Sequence, residues 1–146
     1  MATTHIYNQF QYTQIADTVT LFLRINIGAS GSVSSAGGLG FTSVTKESAA
    51  GQYSIKLDSK LNRFIGMRWA IVDDAISQIA NIQVFEDPSA IQADMLADQT
   101  FKIQCLAVES DATPVLIAAN PASGATLLIE VVMRMGSYTN GDSNFQ

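Results

Sequence analysis

The chain carries one histidine, His5, and one cysteine, Cys105, so the side chains most used for metal binding and nucleophilic catalysis occur once each. A zinc centre needs three or four converging ligands, and a nucleophile needs a base and a group that orients it. His5 lies in a polar leader with no second histidine near it, so a solvated imidazole is the expectation. Cys105 sits in Phe101-Lys102-Ile103-Gln104-Cys105-Leu106, an alternating segment in which a free thiol behaves as a small buried hydrophobe. A lone cysteine also excludes a disulfide within the chain.

The carboxylates are no more promising. Asp73-Asp74 and Glu86-Asp87 are adjacent pairs, and neighbours in a strand point to opposite faces, so neither forms a facing acid–base pair. In turns such residues are simply good turn formers. Asn140-Gly141-Asp142-Ser143-Asn144 echoes a calcium loop but lacks the closing glutamate. The glycines of residues 28–40 could bring backbone N–H groups to a phosphate, yet no Lys-Ser/Thr and no helix pattern follows them. That Ser/Gly-rich stretch reads as a mobile or extended surface loop. Trp69 and Tyr53 could stack on a sugar, but strand alternation assigns both inward. No catalytic, cofactor-binding or metal-binding residue is therefore expected, and the chain is not expected to be an enzyme.

What must these residues be mounted on? The length of 146 residues suits one domain with a sizeable core. Hydrophobic residues make up 47% and charged residues only 14%, against about 25% charged in ordinary soluble proteins. Such a chain covers its surface with small polar residues or hides part of it against partners. The net charge of −5 and scattered basic residues argue against a nucleic-acid partner, which would require clustered Lys and Arg. Met1-Ala2-Thr3-Thr4-His5 lacks the basic and apolar regions of a signal peptide, and no window approaches a membrane span. Synthesis in, and release into, a cytosol-like compartment is the expectation.

The clearest element is Asp17–Ile27, where Val19, Leu21, Leu23, Ile25 and Ile27 share one face and Phe22 is the apolar exception on the other. Four further strands are read at 52–58 (Tyr53, Ile55 and Leu57 on one face), 63–72 (Ile65, Met67, Trp69 and Ile71 together), 79–86 and 100–109 (Phe101, Ile103, Cys105 and Ala107 inward). Asp87–Leu96 fits either a short helix capped by Asp87-Pro88 or a structured loop. Asn120–Ala125 is a turn feeding Thr126–Met135, a long strand apolar on nearly both faces, which suggests cover on both sides. Many short strands and at most one short helix point to an all-β fold, an antiparallel β-barrel or jelly-roll-like β-sandwich. Residues 1–16 are read as an N-terminal arm, 17–138 as the β-domain and 139–146 as a C-terminal tail. Ile6, Tyr7, Phe10, Tyr12 and Ile15 make the arm too apolar to stay in water, so with Phe22 they are candidate contacts to a neighbouring subunit or surface. A first strand of the domain itself is the alternative for the arm.

Residues 40–58, Gly-Phe-Thr-Ser-Val-Thr-Lys-Glu-Ser-Ala-Ala-Gly-Gln-Tyr-Ser-Ile-Lys-Leu-Asp, follow the Gly/Ser loop. Phe64-Ile65-Gly66-Met67 comes next, and Ala119-Asn120-Pro121-Ala122-Ser123-Gly124-Ala125-Thr126 opens the last long strand. Over roughly residues 37–138 this order resembles the capsid decoration, or cement, proteins of tailed bacteriophages. Residues 1–36 have no counterpart in the resemblance. It implies a β-barrel or β-sandwich protomer, often a homotrimer, made in the host cytoplasm. Such a protein sits on the outside of the virion capsid, binds the major capsid protein and stabilises the shell against DNA pressure. Alternatives are another virion component, such as a head fibre base or tail-associated β-domain, and a carbohydrate-binding β-module.

Overall fold

A computed structural model describes residues 18–58, 63–86, 98–109 and 113–134. The described residues form nine strands: β1 (Thr18–Ile27), β2 (Val33–Leu39), β3 (Phe41–Lys46), β4 (Gln52–Leu57), β5 (Arg63–Val72), β6 (Ile79–Val84), β7 (Thr100–Glu109), β8 (Val115–Ala118) and β9 (Thr126–Arg134). They pair antiparallel in two sheets, in the orders β2-β1-β9-β5 and β3-β4-β7-β6, with β8 attached to β7. The architecture is a β-sandwich rather than a closed barrel. Among the described residues the only helical turn is a single 3-10 turn at Ala29–Gly31, and no helix is long and apolar enough to cross a membrane. The arm at 1–16, the possible helix at 87–96 and the tail at 139–146 lie outside the described residues.

Alternation built the core as expected. Leu21, Leu23, Ile25 and Ile27 of β1 and Leu127, Ile129, Val131 and Met133 of β9 face Tyr53, Ile55 and Leu57 of β4 and Phe101, Ile103 and Cys105 of β7. Each such side chain contributes about 1.5–3 kcal/mol by leaving water. The β1–β9 ladder runs unbroken from Thr18↔Arg134 to Asn26↔Thr126, so the inward positions of both strands stay in phase along its length.

In β5 the expected phase is corrected. A bulge between Phe64 and Gly66 adds one residue opposite Met133 and Val132. Phe64 therefore turns inward, its ring 5.9 Å from that of Phe101, and Ile65 turns outward to about half exposure. Met67, Trp69 and Ile71, beyond the bulge, pack against the core as alternation required.

The Ser/Gly-rich stretch is corrected too. Residues 33–39 are a strand, not a loop, paired with β1 from Phe22↔Leu39 to Ile27↔Val33. Gly38 permits this: a Cβ there would lie 1.9 Å from the carbonyl oxygen of Phe22. Because β2 is exposed at nearly every residue, it needs no apolar alternation and shows none.

One strand, β7, has two partners along the same edge. Its first half pairs with β4, from Lys56↔Thr100 to Gln52↔Gln104, and its second half with β8, from Leu106↔Ala118 to Glu109↔Val115. Gly51 makes the junction at φ +65°: its carbonyl accepts from Cys105 N–H (2.8 Å) and its N–H donates to Asn120 Oδ1 (2.7 Å). A Cβ there would lie 2.1 Å from the carbonyl oxygen of Ala119. At the same end Tyr53 Oη donates to the Gly31 carbonyl (2.7 Å), tying the connection after β1 to the opposite sheet.

Candidate interaction surface

The outer face of the first sheet is set by register. Leu39, Phe22, Glu130 and Arg68 stand in one row across β2, β1, β9 and β5; Gly37, Arg24, Leu128 and Ala70 stand in the next. Because Gly37 and Ala70 carry little or no side chain, the second row sinks between its neighbours. The result is an open, mostly apolar groove of about 480 Å³. Phe22 (55% exposed), Leu39 (74%) and Leu128 (40%) leave apolar area in water around it. Arg24 is exposed beside the groove, its Nε donating to Asn26 Oδ1 at 3.3 Å, and Arg68 is ion-paired with Glu130. Exposure on this scale marks a contact surface more often than a bare exterior.

The second uncovered region is the hairpin formed by the end of β7 and by β8. Successive strand residues point to opposite faces, yet Val115, Leu116, Ile117 and Ala118 are all exposed, as is Val108 opposite Leu116. The ribbon is therefore apolar and bare on both sides. Two-stranded ribbons are marginal on their own, and apolar edge strands are usually blunted by charge or bulges. Among the described residues of this ribbon, Glu109, paired with Val115, and Pro114, just before the strand, are the devices of this kind.

The groups that sequence singled out for chemistry lie elsewhere. Cys105 is fully buried, and burial pushes its thiol up to about 12 against the opposing pull of Lys46. Tyr53 is fully buried, and its hydroxyl is raised well above the ordinary tyrosine range, chiefly by burial and then by Cys105. Trp69 packs against the core. Among the described residues no three His, Cys, Asp or Glu side chains come together as a metal site would require.

No known family model, curated protein or solved structure matches this chain. The surface must be read from its own chemistry. Of the sequence-derived contact residues, Phe22 stands at the centre of the groove's first row, whereas Ile6, Tyr7, Phe10, Tyr12 and Ile15 lie outside the described residues. Leu39, Leu128 and the β8 hairpin were missed. Leu128 had a signal, the two-faced apolar character of β9. The hairpin had none, because Val115-Leu116-Ile117-Ala118 reads like any core run.

Proposed function

We propose that the chain is a virion structural protein that decorates and stabilises the outside of a tailed-phage capsid by binding major capsid protein subunits, as a homotrimer and without catalytic turnover. The observation that carries this reading is the bare apolar surface in two separate places, the groove on the first sheet and the β7–β8 hairpin. A domain with a full core does not need these side chains for its own stability, and leaving them in water favours association. The low charge content and the resemblance over residues 37–138 agree with a protein that is covered on several sides.

The test is co-sedimentation of the purified protein with empty shells assembled from the major capsid protein encoded in the same genome. Saturable retention, reduced at least tenfold by Phe22→Asp, is expected. Protein left in the supernatant at saturating concentration would contradict the reading.

A carbohydrate-binding module is the second reading, and one observation favours it. Phe85, half exposed, stands with Gln83, Glu86 and Lys102 around a shallow hollow of about 570 Å³ on the second sheet. An aromatic face with amide, carboxylate and ammonium neighbours suits a sugar. Glycan-array binding lost in Phe85→Ala would support it, and a blank array would remove it.

A further inference from the structure

Successive residues of a strand turn their backbone N–H and C=O groups to opposite neighbours. In β7, Cys105 accepts at its carbonyl from Ala119 and donates its N–H to Gly51, so alternate residues from Cys105 face β4 and β8. Ala107↔Ile117 and Glu109↔Val115 are then the hydrogen-bonded pairs of the β7–β8 ribbon. Leu116 and Ala118 direct their N–H and C=O groups the other way, to an edge where no further strand follows among the described residues. Exposed apolar side chains flank that edge on both faces, Leu116 and Val108 on one, Val115 and Ile117 on the other.

An occupant that suits this edge is extended, uncharged and apolar on both faces. The strand β8 itself meets that description, and the other edge strands do not. Lys46 lies on β3 and Arg68 on β5, so two copies of either would bring like charges together. The strand β2 consists mostly of Ser, Ala and Gly, and β6 buries one face in the core. We propose that β8 pairs antiparallel with β8 of a second copy about a two-fold axis. A register that uses the free groups of both Leu116 and Ala118 sets Ile117 opposite Ile117 of the second copy. Leu116 of each copy then exchanges hydrogen bonds with Ala118 of the other. Pro114, which has no N–H to offer, falls outside the paired residues.

The pair joins two ribbons of two strands into one of four, and three or more strands with an apolar face are what a sheet needs for independent stability. No charge meets a like charge within the pair, because β8 has none. The contact is short, at the weak end of protein interfaces, so it forms at about 100 µM and is lost at about 1 µM. A two-fold contact is isologous and closes on itself, so it does not build a ring of three. In the proposed assembly it joins copies that belong to different trimers.

The pairing goes beyond the assembly reading and takes from it only that bare apolar surface is interface. Failure to bind shells leaves it standing, and its own failure leaves shell binding open. The experiment uses the full chain, with circular dichroism confirming the fold and light scattering on a sizing column reporting mass. Leu116→Pro removes the outward N–H and keeps the ladder to β7, which uses Val115 and Ile117. Wild type at about 100 µM is expected to show about twice the mass of Leu116→Pro, and Phe22→Asp to keep the larger mass. Cross-linking gives a second readout that does not depend on Leu116→Pro folding. Under mild oxidation Ile117→Cys is expected to form the cross-linked dimer about tenfold faster than Leu116→Cys, because only residue 117 meets its own copy within disulfide reach. The native Cys105 is fully buried and stays out of the reaction. Equal masses for wild type and folded Leu116→Pro would overturn the proposal. So would equal cross-linking at the two positions, or a larger mass lost in Phe22→Asp and kept in Leu116→Pro.

Discussion

Strands β4 and β8 lie end to end along the same edge of β7, are both rich in apolar residues, and could hardly be less alike in burial. Tyr53, Ile55 and Leu57 of β4 are 0–1% exposed; Val115, Leu116 and Ile117 of β8 are 40–53% exposed. Pairing to β7 is the same in kind, so the backbone ladder does not make the difference. What differs is the layer opposite. Beneath β4 lie β1 and β9, whereas β8 has both faces bare. Apolar sequence is thus spent in two ways within one sheet: half of the edge builds the core, and half presents a surface.

Mutations at matched positions sharpen that contrast. Ile55→Ala leaves a cavity in the core and is expected to cost about 2–5 kcal/mol, read as a lowered denaturation midpoint. Leu116→Ala is expected to stay within about 0.5 kcal/mol when unfolding is followed on dilute protein, as surface positions do. Equal losses at both sites would erase the distinction.

The junction between the two halves is the next place to break it. Gly51→Ala puts a Cβ against the Ala119 carbonyl in a left-handed conformation, and a loss of about 1–3 kcal/mol is expected. Because Gly51 holds both Cys105 and Asn120, hydrogen exchange in that variant should accelerate first in β8 and only later in β4.

Alkali separates the halves by chemistry. Cys105 and Tyr53, both in the covered part, have folded-state values raised above their ordinary 9.0 and 10.0. The unfolded chain therefore loses these protons first. Their contribution to stability is intact below about pH 9 and falls as pH rises through 9 and then 10, because the unfolded state binds fewer protons there. Denaturation midpoints flat to pH 9 and declining above it are expected, with a smaller decline in Cys105→Ala. A decline already complete by pH 8 would contradict this. A small effect is expected at the surface as well: Arg68→Ala removes the ion pair with Glu130 and should change stability by no more than about 1 kcal/mol.

Much of the contrast was legible in the sequence on one side only. Strict alternation fixed β1, β4 and β7 and named their inward residues, because a strand with one wet face must alternate. It erred at Phe64 and Ile65, where a bulge shifts phase without any residue type announcing it. It passed over β2, which is wet at almost every position, and β3, whose half-buried Phe41 and Val44 are three apart across another bulge. For the surface, Phe22 was visible as an apolar intruder on a polar face. The hairpin was invisible, since a short apolar run has the same composition whether a neighbour covers it or not.

The central claim is that the apolar side chains outside the core are interface. Hydrogen exchange of the wild-type chain, compared at about 1 µM and about 100 µM, tests it most directly. Protection should rise with concentration in residues 115–118 of β8 and stay constant in β4. Exchange in β8 that is equally fast at both concentrations, with the protein shown to be self-associated at the higher one, would contradict the account.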